Sequence, residues 1–495
     1  MMIKWEIWLI ADLPMSQNTG LEGLIIGGGI SGLSLAHWLG LADHPDGWEL
    51  WEATERLGGT IGTDRADGYS IDWGPNGFLD REPLTLRLVG EVGMSQALEQ
   101  ANDSSRNRFI MKHGRLHPVP LSPGAILGTG LLSPRDKLRI FMEPFVRARR
   151  DDGDESVFDF AARRIGRGAA ESFIDPMVSG IFGGLARELS LPACFPIMRE
   201  MEKRYGGLVR ALVARQFQRR PAGKNTASSQ TSGPAGPGGR LTSFKGGLDL
   251  LVTRLQERLQ TIVRIERPVA CIRRKGVLWE IADQAGRRIL AKKVICACPT
   301  FAAAQMFAES DPELSAACKT IPYAPIVVVA TGHRREDIAH PLDGFGFLIP
   351  RSEGPRTLGS IWTSSIFADR APMGHIQFRS MLGGAGDPRA LELSDEKLWL
   401  TLRRELDPLV GIRSDPAFMR VYRWERGIPQ YTLGHIERRS RIEELARRRP
   451  GLYFVGNAFY GVGLNDCVKM AHLIAQQIRT SDLRPPVLDT EFASP

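Results

Sequence analysis

No apolar run in this sequence is long enough to cross a bilayer as a helix. Cysteine is scarce: Cys194, Cys271, Cys296, Cys298, Cys318 and Cys467 are the six in 495 residues, and none stands at metal-ligand or dithiol spacing. Cys296-Ala297-Cys298 ends an apolar run and reads as buried thiols, a pattern that suits a reducing compartment. Lys and Arg are never massed into a block, and the net charge is only +8. That argues against a dedicated nucleic-acid binder, whose basic residues gather on one face, and suits an anionic small substrate or an anionic membrane surface. The first residues, interrupted by Glu6 and Asp12, lack a secretory apolar core and an Arg-rich transit composition. These absences predict a cytoplasmic protein whose contact with membranes is peripheral.

What is present is ordinary for a large folded enzyme: 43% hydrophobic and 24% charged residues, enough chain for two or three domains. Residues 1–20 precede the first strand, and Met15 is a candidate start. Leu24–Ile26 reads as a short buried strand, Ser31–Leu41 as a helix and Trp48–Glu52 as a second strand. Residues 221–240 are rich in Pro, Gly and Ser without periodicity and predict a flexible insertion. Further strands are expected at 263–272, 293–297, 326–330, 346–349, 357–362 and 452–455, with a closing helix over 465–478.

The strongest local signal is Gly27-Gly28-Gly29-Ile30-Ser31-Gly32, between the first strand and its helix. Gly27 permits a tight turn, Gly29 admits backbone close to a pyrophosphate, and Gly32 lets helix and strand pack closely. The helix start then offers free N–H groups to phosphate oxygens. Glu52 follows Gly32 by twenty residues, at the end of the next strand, where an acid accepts hydrogen bonds from ribose hydroxyls. Near the other end, Gly456-Asn457-Ala458-Phe459-Tyr460-Gly461-Val462-Gly463-Leu464-Asn465 joins a strand to a helix. Aimed at the cofactor's ring system, that helix start would favour the negative charge it acquires on reduction.

Glu52-Ala53-Thr54-Glu55-Arg56-Leu57-Gly58-Gly59-Thr60 resembles the extension seen in flavin oxidases of the amine oxidase type. The resemblance implies FAD rather than NAD, with Arg56 helping to hold phosphate and the glycine pair bringing backbone to the cofactor. Gly74-Pro75-Asn76 resembles the turn beside the isoalloxazine ring in that superfamily. From about Gly23 to Ile478 the chain is similar to the protoporphyrinogen oxidase family. Ile174 through Asp175-Pro176 to Gly184, Ser243-Phe244-Lys245-Gly246-Gly247, Gly344 to Pro350, and Trp424 to His435 carry that likeness. It implies a mixed α/β fold: a Rossmann-type FAD-binding domain, a β-sheet substrate domain and a helical membrane-associating domain. The expected boundaries are 20–90, 241–300 and 420–485 for FAD binding, 91–212 for the helical domain, 213–240 for the insertion and 301–419 for substrate binding. Val269, Trp424, Gly456, Asn457, Gly463, Leu464 and Asn465 complete the implied cofactor positions.

On the substrate side the family resemblance implies Arg108, Gly180, Leu348, Ile361 and Met381. Arg108 would pair with a propionate, Gly180 would bring backbone close to the macrocycle, Leu348 and Ile361 would sandwich one pyrrole ring, and Met381 stands where relatives carry an aromatic residue. A large, nearly apolar porphyrinogen calls for such a lining, with few polar groups fixing orientation. Apolar Leu116–Leu132, followed by Arg135, Lys137, Arg139, Arg147, Arg149 and Arg150, suits shallow insertion into an anionic leaflet, or equally a self-contained helical domain with solvated charges. The expected activity is oxidation of protoporphyrinogen IX with O2 in haem synthesis. Coproporphyrinogen III oxidation, an amine oxidase and a non-catalytic flavin scaffold are the alternatives. No His or carboxylate motif marks a general base and no metal site is indicated. A homodimer and neighbouring haem-pathway enzymes are the partners that the resemblance adds.

Overall fold

The computed structural model describes residues 20–218 and 239–480. The expected insertion at 221–240 lies outside the described residues apart from its last two positions, and so does the stretch before Gly20 that holds Met15. Among the described residues, two seven-stranded sheets organise the chain.

The first sheet is built on Leu21–Ile26, whose Leu24, Ile25 and Ile26 are buried because layers cover both faces. It pairs in parallel with Trp48–Trp51 on one side and Arg288–Cys296 on the other. Val263–Arg264 extends the parallel set, and Leu452–Phe454 joins Arg288–Cys296 from the far end of the chain. Val269–Lys275 and Leu278–Asp283 add an antiparallel flank. The strand expected over 263–272 is therefore two, broken where Glu266 takes φ 53° and Pro268 supplies no N–H.

Helix Ile30–Trp38 connects the first two strands. Its sequence, ISGLSLAHW, offers no polar face, so it is buried all round. Leu464–Thr480 and Asp249–Leu259 pack against it, and Leu33, Leu35, Leu251, Leu255, Val468 and Ala471 share one core. The glycine-rich turn and the C-terminal turn are thereby brought to one place.

The second sheet runs Phe418–Pro429, Tyr323–Arg334, His375–Gly383, Thr357–Trp362, Gly346–Leu348, Phe109–Lys112, Arg115–Pro118. Neighbours are antiparallel except Gly346–Leu348 with Phe109–Lys112. Because side chains alternate along a strand, each residue type selects its face. Val327, Val329, Phe378 and Leu382 meet the helix Asp395–Val410, whose Leu398, Leu402, Leu406 and Val410 form one stripe. The opposite face carries Ile326, Val328, Arg379, Met381, Tyr422 and Trp424. That face turns toward a separate two-stranded hairpin of Thr63–Ala66 and Tyr69–Asp72: Tyr69 stacks on Phe418, and the Tyr422 hydroxyl donates to Asp64 at 2.9 Å.

Helices fill much of 123–218. Val157–Ile165 and Asp175–Phe182 share a core of Phe160, Val178 and Phe182. Beneath it the buried Arg164 pairs with Glu143, and Arg163 reaches Glu202 at 2.7 Å. Leu121, Leu127, Leu138, Phe141 and Phe145 stand exposed, Phe145 by 79%. Among the described residues no helix is long and apolar enough to cross a membrane.

Candidate active site

The glycine-rich turn leaves the first strand at Gly27, where φ is 112°, a conformation that L side chains rarely adopt. At Gly32 a Cβ would lie 2.1 Å from the Gly27 carbonyl oxygen, so only glycine lets the helix start this close to the strand. Gly29 caps the helix without a side chain, and the first turn holds no acid to occupy its N–H groups. Ile30, Ser31 and Gly32 therefore present backbone donors and a positive dipole end at the turn. Glu52 closes the arrangement: its Oε2 accepts from the Gly28 N–H at 2.8 Å, and its Oε1 accepts from the Thr54 N–H at 3.0 Å. The Thr54 hydroxyl also donates to Oε1 at 2.9 Å, so Oε2 is the oxygen with room for a further donor such as a ribose hydroxyl. Val269 lies on the same side, since the Arg267 N–H just before it donates to the Glu52 carbonyl at 2.8 Å.

The segment after Glu52 folds back over the helix start. Ala53 and Thr60 are exposed, and Gly59 comes so near that a Cβ on it would meet the Gly29 Cα at 3.4 Å. Arg56 is tied into its own turn. Its Nη1 donates to the carbonyls of Leu57 at 2.9 Å and Ile61 at 3.0 Å, Nη2 donates to that of Gly59, and the guanidinium rests 4.8 Å from the Trp73 ring centroid. It fastens the turn, which has no regular ladder to satisfy its carbonyls. Gly74 sits where a Cβ would strike the Thr60 carbonyl oxygen at 1.8 Å, and Pro75 and Asn76 follow, half-buried.

The C-terminal half-site is tied from beneath. The buried Tyr431 hydroxyl donates to the Asn457 carbonyl at 2.5 Å and accepts from the Gly461 N–H at 2.8 Å, and His435 stacks on the Tyr431 ring. Gly456 takes φ 143° with open space where a Cβ would stand. At the helix start the Asn465 Nδ2 donates to the Leu79 carbonyl at 2.8 Å, while the Asp466 carboxylate accepts from the Gly463 N–H at 3.1 Å. Burial pushes the Asp466 carboxyl up to about 6, although solvent reaches it; a side chain lining an open interior cleft meets both conditions. Leu464 is buried against the Ile30–Trp38 helix, and Cys467 touches Ser31. Burial drives the Cys467 thiol up to about 12, which disfavours the thiolate.

These residues suit a flavin nucleotide. Two glycine turns and two helix starts converge, and the turns hold buried polar atoms without partners, Asn76 Nδ2 and Asn465 Oδ1, of the kind a heteroaromatic ring edge would satisfy.

On the opposite side, register gathers the expected substrate residues. Leu348 pairs with Gly359, Gly359 with Met381, and Ile361 with both Gly346 and Arg379, which puts Leu348, Ile361 and Met381 on one sheet face. All three are only half-buried although their strands are interior to the sheet. Gly180, from helix Asp175–Phe182, packs on Leu348, since a Cβ there would lie 2.7 Å from Leu348 Cδ2. Trp424, expected on the cofactor side, shares a cluster with Met381 and so stands where the two sides meet. Arg108 precedes strand Phe109–Lys112 and lies 5.3 Å from the Phe345 ring centroid, and Phe345 packs with Ile361. It is open to solvent, yet the protein around it holds its guanidinium below the ordinary range, as expected of a cleft-lining residue. Among the described residues no carboxylate pairs with it.

Sequence reasoning assigns no role to Arg379, Tyr431, His435 or Asp466. The stretch ending at His435 contributes only to the resemblance, and Arg379 is marked merely by being a charge inside an apolar strand.

The sequence matches the flavin containing amine oxidoreductase family over residues 30–479. It is 31% identical to the coproporphyrinogen III oxidase of Bacillus subtilis strain 168, across 90% of this chain and 95% of that one. It is 30% identical to the chloroplastic protoporphyrinogen oxidase of Oryza sativa subsp. japonica, across 94% and 90%. A crystal structure from Exiguobacterium sp. 255-15 superposes with a TM-score of 0.79 at 26% identity, covering 94% of this chain and all of that one. The chain belongs to the flavin containing amine oxidoreductases and is an FAD-dependent oxidoreductase.

Proposed function

We propose that this enzyme oxidises protoporphyrinogen IX to protoporphyrin IX with O2 as acceptor. The observation that carries the reading is the single sheet face on which Leu348, Ile361 and Met381 meet Gly180, with Arg108 beside it. A flat macrocycle with acidic groups on one edge matches a largely apolar face whose exposed cation, Arg108, has no carboxylate partner among the described residues. The relatives named for porphyrinogen oxidation support the same substrate class.

Held between the Gly27–Gly32 and Gly456–Asn465 turns, FAD would supply two-electron oxidation, which the porphyrinogen must undergo three times, with O2 as the final acceptor. The chain's own work is placement. Leu348 and Ile361 hold one pyrrole ring, Gly180 brings backbone close to the macrocycle, Met381 lines the rest, and Arg108 holds a propionate by a charge-assisted bond. Holding one reacting carbon in position converts a collision into a first-order event, which is where a site with an apolar lining contributes rate.

Coproporphyrinogen III is the second reading, favoured by the name of the Bacillus subtilis relative. Incubating the FAD-loaded enzyme with each porphyrinogen, and following porphyrin fluorescence with oxygen uptake, separates them. Faster turnover of coproporphyrinogen would displace the first reading, and no fluorescence from either would sink both.

The division into an FAD-binding domain (20–90, 241–300, 420–485), a helical domain (91–212) and a substrate domain (301–419) belongs to this proposal. So does a peripheral seat on the cytoplasmic face of a membrane. Exposed Leu121, Leu127, Leu138, Phe141 and Phe145, near Arg147 and Arg150, support it. Cosedimentation with anionic vesicles tests it, and loss of binding in Leu138→Ser/Phe145→Ser is the expected result.

A further inference from the structure

Arg379 is a cation with no anion. It lies in strand His375–Gly383 and is 5% exposed, on the face that carries Met381 two residues on and Ile361 directly across. Its Nη2 donates to the backbone carbonyl of Gly74 and lies 3.4 Å from that of Trp73. Its Nε is buried without a partner. Among the described residues no carboxylate comes within ion-pair distance. Asp72 is the acid whose charge reaches it, and Asp72 is already committed to Arg370 at 3.4 Å, the Thr63 hydroxyl at 2.6 Å and the Leu248 N–H at 2.9 Å. Burial lowers the Arg379 pKa to about 10, still far above neutral, so the charge is present. A buried charge held only by carbonyls is costly, and the chain gains nothing from it in packing that a Met would not supply.

The two carbonyls identify where that charge is used. They belong to Trp73-Gly74, the start of the Gly74-Pro75-Asn76 turn, which lies against Thr60 on one side and carries the unpartnered Asn76 Nδ2 on the other. Arg379 thus joins the sheet of Leu348, Ile361 and Met381 to the cofactor turn. When the bound flavin accepts a hydride, its ring system gains one net negative charge. A fixed positive charge in a water-poor site stabilises that form over the neutral oxidised one.

We propose that Arg379 is a positioning residue that clamps the Trp73–Asn76 turn to the substrate sheet, and that its charge biases bound FAD toward the reduced state. This requires FAD but no particular substrate, so it stands or falls separately from the porphyrinogen reading.

The test is a dye-coupled redox titration of the FAD-loaded enzyme, without substrate, on wild type, Arg379→Met and Arg379→Lys. Met keeps the bulk and removes the charge; Lys keeps the charge and removes the fork. The oxidised form should be favoured by about tenfold or more in Arg379→Met, which is about 30 mV more negative for two electrons. Arg379→Lys should stay within about threefold of wild type in potential, because an ammonium keeps the charge and has donors for the same two carbonyls. An unchanged potential in Arg379→Met overturns the proposal. Equal shifts in Met and Lys also overturn it, since packing rather than charge would then be at work. Should Arg379→Met fail to load FAD, Lys alone decides: a wild-type potential supports the charge, and a shift as large as tenfold refutes it.

Discussion

Gly180 and Leu348 meet so closely that a Cβ on Gly180 would lie 2.7 Å from Leu348 Cδ2. The contact joins helix Asp175–Phe182 to the sheet that carries Ile361 and Met381, the face proposed to take the substrate. The encroached atom is the end of a flexible side chain, so Gly180→Ala is accommodated by moving Leu348 rather than by unfolding. Stability should change by no more than about 1–2 kcal/mol. The KM for porphyrinogen should rise several-fold with FAD content unchanged, and Gly180→Val should be far worse. Steady-state kinetics beside the flavin absorbance checks this. A Gly180→Val enzyme with wild-type KM would remove the helix from the cleft.

Glu52 accepts from Gly28 and from Thr54, and so shapes the nucleotide turn as well as offering itself to a ribose. Glu52→Ala should weaken FAD binding by about 1–3 kcal/mol through loss of charge-assisted hydrogen bonds. Glu52→Gln, which keeps an acceptor for Gly28, should lose less. Flavin fluorescence on dilution measures the release, and equal retention in all three proteins would show that the ribose lies elsewhere.

The nucleotide half of the site is legible in the sequence because its requirements are local. A turn that must pass close to a pyrophosphate leaves its mark in consecutive residues, Gly27 to Gly32, and its acid follows within one strand. The substrate face has no such mark. Gly180, Leu348, Ile361 and Met381 are brought together by register and by a helix from another part of the chain, and only the family resemblance connects them. Arg379 is illegible for a related reason. An arginine at alternate positions in a strand reads as the solvated face, and here that face is covered by Trp73 and Gly74. Arg56 carries a second role that its position beside a phosphate motif does not reveal, because its guanidinium donates to carbonyls of its own turn.

Arg108 has a cation–π contact with Phe345 and no carboxylate among the described residues, so its charge is available to a substrate acid. Arg108→Ala should raise KM by about ten- to a hundredfold, the worth of a charge-assisted pair of about 1.5–3 kcal/mol. The maximal rate should change less, because the contact serves ground and transition states alike. Lys should restore part of the loss. A porphyrinogen with esterified propionates should barely respond. Equal losses on the free acid and the ester would place Arg108 outside the propionate site.

His435 links acid stability to the flavin site. Its ring stacks on Tyr431 at 3.9 Å, and Tyr431 holds both Asn457 and Gly461 of the C-terminal turn. Burial, reinforced by Arg439 and Arg438 and opposed only by the Phe459 carbonyl, lowers the His435 pKa to about 3. His333, buried beside Thr331, is lowered to about 4, mainly by burial against the smaller pull of Asp337 and Asp415. Both are therefore neutral in the folded protein where an unfolded chain has begun to bind protons, from an ordinary value of 6.5 downward. Their stabilisation is complete above pH 6.5 and is lost as the pH falls toward 4 for His333 and toward 3 for His435. Each histidine contributes about 1.4 kcal/mol per pH unit to the slope in that window. His435→Gln should remove one proton's worth of slope between pH 6 and 4.5 while leaving that of His333. It should also uncouple flavin release from the same acid limb, because the charge that would break the Tyr431 stack can no longer form. Denaturant unfolding at half-unit pH steps, with flavin fluorescence recorded on the same samples, gives both quantities. Identical slopes in wild type and His435→Gln would mean that His435 does not titrate on unfolding, and the acid limb would then belong to other groups.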